Sequence, residues 1–261
     1  SVMCLILLAW PAHPRFPLVI AANRDEYFLR PTLPAQFWGD APNLLAGRDL
    51  SAGGTWMGIT RQGRFAALTN FREAEKTRDS TVSAPTRGRL VSDFLSSASS
   101  AENYLAELVQ MAAVYNGFNF LCGSLDEGLW YFSNRGGMEK PQLLEAGIYG
   151  LSNHLLDTLW PKVAQGKSDM AKALAALPRE TLLFELLHDE KIHEDGKLPR
   201  TGISLEWERA LSAAYVNTPE YGTRSSSVLL LDRQGCVSFD EQTWLSGARL
   251  GNRNRYRFKL G

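Results

Sequence analysis

The residue whose type and position most suggest chemistry is Cys4, at the head of the apolar run Cys4 to Trp10 and directly after Met3. A thiol attacks as thiolate, so it needs a base or a positive charge beside it. A chain that starts at Met3 and then loses it carries both parts on Cys4. The freed α-amine titrates at roughly pH 7.7 to 8 and can take the proton of its own side chain. One residue then supplies nucleophile and base, which suits a chain with only four histidines. As given, Ser1-Val2-Met3 precede Cys4, and with them in place its nitrogen is an amide without basicity. The bland alternative is a small hydrophobe in a core strand.

Asn23-Arg24-Asp25-Glu26 closes the next apolar run. If the two runs form a hairpin, this cluster lies beside Cys4. Arg24 then lowers the thiol pKa, and Asp25 accepts a hydrogen bond from the α-ammonium. The competing reading is a charged turn whose ion pair contributes little.

Other constellations fail. Gly166-Lys167-Ser168 imitates the end of a phosphate loop but has no glycine five residues before Gly166 and a helical flank. Neither G-x-S-x-G nor G-x-G-x-x-G occurs. His188 and His193 are five apart, on different faces of a helix, and His13 and His154 lie in unrelated segments, so no metal site and no cofactor is expected. Cys4, Cys122 and Cys236 cannot all pair, and none has a zinc-knuckle spacing, which points to a reducing compartment.

The elements that must position these residues follow from patterning. Cys4 to Trp10 and Phe16 to Ala22 read as a hairpin of core strands, and Thr55 to Thr60 and Arg64 to Asn70 repeat it around Gln62-Gly63. Arg30 to Ser51, rich in Pro, Gly, Asn and Asp, reads as a long loop. Thr86 to Ser97 and Ala101 to Tyr115 have helical spacing, and Phe118 to Cys122, Leu129 to Ser133 and Leu143 to Leu151 return to strand. A helical block from Trp160 to Leu187 breaks at Pro178. Ser204 to Val216 reads as a helix capped by Ser204 with Trp207 buried. Ser226 to Asp232, Cys236 to Phe239 and Arg253 to Leu260 are strands. Strands and helices cluster rather than alternate, so the class is α+β, with residues 1–261 as one domain.

Equal numbers of basic and acidic residues, 28 each, give zero formal charge and argue against nucleic acid as a partner. The apolar start has no basic residue before it, is interrupted by Pro11 and Pro14, and falls short of the roughly 20 residues of a membrane span. A buried strand in a cytoplasmic protein is expected. Arg253, Arg255, Arg257 and Lys259 alternate along the last strand. They form either a solvated face or a site for a phosphate- or carboxylate-bearing ligand.

Taken in order, Met3-Cys4, Ala22-Asn23-Arg24-Asp25-Glu26, Ala52-Gly53-Gly54-Thr55-Trp56, Leu68-Thr69-Asn70-Phe71-Arg72 and Gly150-Leu151-Ser152-Asn153 resemble the NRDE, or transport-and-Golgi-organisation-2-like, family. Leu156-Asp157-Thr158, Trp160-Pro161-Lys162 and Tyr221-Gly222-Thr223-Arg224-Ser225-Ser226 extend the likeness along the chain. That family resembles N-terminal-nucleophile hydrolases, which implies a four-layer αββα sandwich of antiparallel sheets. The resemblance implies Cys4 as nucleophile, Arg24 and Asp25 beside it, and Asn153 with Asn70 at the oxyanion. It also implies Arg224 as a late active-site arginine. The expected partner is a small-molecule acyl amide or thioester. The alternative is a carrier for acyl chains, acyl-coenzyme A or haem on a retained hydrolase fold, and neither reading fixes an oligomeric state.

Overall fold

A computed structural model describes residues 3–73 and 84–261. Strand β1 (Met3–Trp10) is buried along its entire length, and β2 (Leu18–Tyr27) at nine of its ten positions. Both faces of this hairpin are therefore covered, and its side chains divide between two cores. Cys4, Ile6, Leu8, Leu18, Ile20 and Ala22 meet Leu45, Met57, Ile59, Phe65 and Leu121 of the opposing sheet. Leu5, Leu7, Val19 and Ala21 point the other way, against Val163, Met170, Leu183 and Leu187. Each fully buried aliphatic chain contributes about 1.5–3 kcal/mol, so truncating Ile6 or Leu8 to alanine costs about 2–5 kcal/mol.

The remaining strands are β3 (Thr32–Phe37), β4 (Leu44–Asp49), β5 (Met57–Thr60), β6 (Phe65–Asn70), β7 (Phe118–Ser124), β8 (Gly128–Ser133), β9 (Gln142–Leu143), β10 (Gly147–Leu151), β11 (Tyr221–Leu231), β12 (Cys236–Leu245) and β13 (Arg249–Lys259). One sheet runs β10-β1-β2-β11-β12-β13 and the other β3-β4-β5-β6-β7-β8-β9. Every pairing is antiparallel. Helices α1 (Gly88–Ser96) and α2 (Ala101–Met111) place Leu90, Val91, Phe94, Leu105 and Leu108 on Ala66, Phe118, Phe120 and Cys122 of the second sheet. Helices α3 (Pro161–Leu174) and α4 (Thr181–Leu187) cover the first, and a short α5 (Leu205–Ala210) follows. The layers are thus helix, sheet, sheet, helix: the expected αββα sandwich.

Four local expectations are corrected. Asn23 to Glu26 is not a turn, because β2 continues through it and pairs on both sides, with β1 and β11. The segment from Arg30 to Ser51 contains β3 and β4; β3 is an edge strand, where Pro34 removes no needed donor. The stretch from Leu143 to Leu151 is two strands in different sheets. Ser204 does cap a helix, accepting from the Trp207 N–H at 3.3 Å, but the helix ends at Ala210 and Trp207 is 37% exposed. Among the described residues, no helix is long and apolar enough to cross a membrane.

Candidate active site

Cys4 is fixed by its strand. In the β1–β2 ladder it stands opposite Arg24, and Met3 stands opposite Asp25. On the other flank the Ser152 hydroxyl, just beyond β10, donates to the Cys4 carbonyl at 3.0 Å, with Asn153 Oδ1 a second acceptor within reach at 3.2 Å. Asn153 Nδ2 donates to the Asn70 carbonyl at 2.9 Å, and the Arg72 N–H donates to the Asn153 carbonyl at 2.7 Å. These bonds tie the end of β6 in one sheet to the end of β10 in the other. Cys4, Arg24, Asp25, Asn70 and Asn153, scattered over 150 positions in sequence, are thereby gathered around the head of β1.

With Met3 in place, Cys4 is 0% exposed. Burial pushes its thiol pKa far up, reinforced by the charge of Asp25 and opposed by Arg24 and by a hydrogen bond from the Asp25 backbone. Such a thiol is a weak nucleophile.

Alternation along β2 sends consecutive side chains to opposite faces. Arg24 reaches the space between the sheets, where its nearest anion is Glu26 at 3.8 Å. It lines two adjoining pockets. One, of about 250 Å³, also takes in Glu26, Arg30, Asn70 and Arg87. The other, of about 180 Å³, takes in Arg48, Arg224, Glu241 and Trp244. Cys4 lines neither.

Asp25 faces the helix layer. Its Oδ1 accepts from the Thr223 hydroxyl at 2.8 Å, while burial raises its pKa to about 6 against the pull of Lys162, Arg72 and Arg24. The Tyr221 hydroxyl donates to the Asp25 carbonyl at 3.2 Å and accepts from the Met3 N–H at 2.9 Å. Lys162, one residue past the Pro161 that opens α3, is buried nearby, and desolvation depresses its pKa to about 8. Arg72 Nη1 meets Glu208 Oε2 of α5 at 2.8 Å, and the guanidinium lies 4.6 Å from the Trp160 ring centre. Glu208 Oε1 accepts from the Thr201 N–H at 2.9 Å and from its hydroxyl at 2.6 Å.

Sequence reasoning did not single out Lys162, Arg72 or Glu208. Lys162 had a usable signal: it shares the stripe of Gly166 and Met170 at helical spacing, so a lysine sits on the buried face of α3. Glu208 had none, because its partner is 136 positions away.

Arg224 stands apart from this cluster. It projects at a bulge in β11, between Thr223 and Ser225, and donates to the Tyr27 and Arg30 carbonyls at 2.8 and 3.0 Å and to the Thr32 hydroxyl at 3.2 Å. It pins the β2–β3 turn and walls the smaller pocket. The late basic strand is also committed: Arg253, Arg255 and Arg257 all pair with Asp240.

The chain is similar to known proteins along nearly its whole length. It is 37% identical to the bovine Transport and Golgi organization protein 2 homolog, covering 93% of this chain and 94% of that one. It is 35% identical to the mouse homolog, covering 99% of both, and 31% identical to the Drosophila melanogaster protein, covering 92% of both. Among solved structures, penicillin V acylase from Agrobacterium tumefaciens aligns with a TM-score of 0.48 at 12% identity, over 98% of this chain and 86% of that one. A mutant conjugated bile acid hydrolase from Clostridium perfringens aligns with a TM-score of 0.47 at 10% identity, over 99% and 98%. Residues 3–246 match the profile named Transport and Golgi organisation 2, and the chain belongs to that family.

Proposed function

We propose that the chain is an N-terminal-cysteine hydrolase or acyltransferase that opens an amide C–N or thioester bond through an acyl group carried on Cys4. The observation that carries this reading is the convergence on Cys4 of Arg24, Asp25, Asn70 and Asn153 from separate elements. In a chain beginning at Cys4, the α-amine takes the thiol proton and the sulfur bonds to the substrate carbonyl carbon. The carbonyl oxygen becomes an oxyanion, for which Asn153 Nδ2 has a second N–H beyond the one given to Asn70. Collapse breaks the bond to the leaving amine or thiol, which receives the proton from the α-ammonium. Water then releases the acid, or another nucleophile takes the acyl group. Arg24 holds the developing thiolate and binds the acyl donor where the two pockets meet. Loss of one oxyanion donor typically costs about 3–4 kcal/mol, so Asn153→Ala is expected to slow acylation by roughly two to three orders of magnitude.

The full burial of Cys4 in the core between the sheets favours a second reading, a carrier that holds acyl chains, their coenzyme A esters or haem without cleaving them. Intact mass spectrometry separates the two. Protein made from Met3 and incubated with an activated ester is expected to gain one acyl group, and Cys4→Ala none. An adduct that persists in Cys4→Ala, or no adduct at all, overturns the enzymatic reading. Tryptophan fluorescence quenching by acyl-coenzyme A or haem, without turnover, supports the carrier.

A further inference from the structure

On the helix side of the head of β1, charged side chains from four segments are packed out of water: Asp25 of β2, Arg72 after β6, Lys162 of α3 and Glu208 of α5. Five buried side-chain atoms among the described residues lack a hydrogen-bond partner, and four belong to this cluster: Asp25 Oδ2, Arg72 Nε and Nη2, and Lys162 Nζ. Each such atom costs about 1–3 kcal/mol. Orphaned polar atoms concentrated beside a candidate nucleophile are the kind of strain found where a site awaits a group. Glu208 is already satisfied by Arg72 and Thr201, so Lys162 is not there to neutralise it.

We propose that Lys162 is a positioning residue for the nucleophile: its ammonium offsets the field of Asp25 at the start of β1, so that the α-amine of a chain beginning at Cys4 stays neutral and basic. The inference rests on the reading of Cys4 given above. Asp25 Oδ2 is an open acceptor for that amine, but a lone carboxylate would favour the α-ammonium and hold it protonated, when it could no longer take the thiol proton. Lys162 supplies the compensating charge without a hydrogen bond of its own.

An anion raises the pKa of an amine and a cation lowers it. At the head of β1 the anions are Asp25 and Glu26 of β2 with Glu208 of α5 behind them, and the cations are Arg24 of β2, Arg72 and Lys162. Tyr221 of β11 stays a neutral phenol, because burial pushes its pKa well up. His193 lies further out and feels Lys162 among other groups. Removing the Lys162 charge takes one cation from this set and no anion, so the amine midpoint moves up. A charge within about 4–6 Å of a titrating group moves its pKa by about 1–3 units.

The test uses the full chain made from Met3, with Cys4 confirmed as first residue by intact mass, and p-nitrophenyl acetate as probe. Acetyl transfer to Cys4 forms the sulfur–carbonyl bond, releases p-nitrophenolate and is followed against pH. Lys162→Met is expected to shift the rising limb at least one pH unit upward, with about a tenfold slower rate at pH 7. Lys162→Arg, which keeps the charge, is expected to restore the native profile. Should Lys162→Met not fold, Lys162→Gln carries the same expectation. A native-like pH profile in a folded, uncharged variant overturns the proposal while leaving Cys4 as nucleophile. Absence of acetylation in the native chain overturns the underlying reading instead.

Discussion

Glu241 of β12 accepts from the Ala35 N–H at 2.7 Å and the Ser227 hydroxyl at 3.5 Å, yet burial raises its pKa from 4.5 to about 7. Its folded pKa lies above the unfolded one, so folding favours the protonated form. That contribution is complete below about pH 4.5 and lost as pH rises through about 7. Glu241→Gln, which mimics the protonated acid, is therefore expected to stabilise the fold by up to about 3 kcal/mol at pH 8 and by almost nothing near pH 4. Thermal unfolding at the two pH values checks this; equal effects at both would show that charge is not the cause. At this scale, Cys4, Arg24, Asp25, Asn70 and Asn153 were legible because each lies in a short, distinctive stretch. Glu241 and Glu208 were not, because a carboxylate in an alternating strand or an amphipathic helix reads as surface until the fold buries it.

Gly53 and Gly54 fall within one motif but answer different physical demands. Gly53 sits at φ +78° with open space around it, so Gly53→Ala costs only the left-handed strain, about 1–2 kcal/mol. A Cβ on Gly54 would meet the Gly88 backbone at 2.4 Å, at the first residue of α1. Gly54→Ala must displace the start of that helix and the wall of the larger pocket. Its destabilisation by urea unfolding should exceed that of Gly53→Ala, and an equal or smaller loss would contradict the close approach. The buried hairpin and the main helices were legible because their apolar runs are long and periodic. Strands β3 and β4 were hidden by Pro34 and Gly47, residues that an edge strand and its neighbour tolerate but a pattern reads as loop. The shortness of α5 was also hidden, since Leu211, Ala213 and Val216 are buried by tertiary contacts outside any helix.

For the whole molecule, the zero formal charge conceals a basic edge that one buried carboxylate offsets in part. Asp240, with a side chain 3% exposed, pairs with Arg253, Arg255 and Arg257 along β13. Asp240→Asn leaves three like charges along one edge strand. Amide hydrogen exchange across β13 is then expected to quicken about tenfold, a local loss of about 1.4 kcal/mol. Unchanged exchange would mean that the β12–β13 ladder holds without the carboxylate.

The two sheets also differ in when a growing chain can complete them. Strands β3 to β9 are neighbours in space in the order in which they are made, so that sheet can form as a meander from local contacts. The other sheet cannot: β2 waits for β11, with Ile20 facing Leu229, about two hundred positions later. Lys162, Glu208 and Thr223 all emerge after the second sheet is made. Cys4 precedes all three in the chain, so a chain that stalls before Lys162 holds this cysteine without the buried charges that flank it in the finished fold.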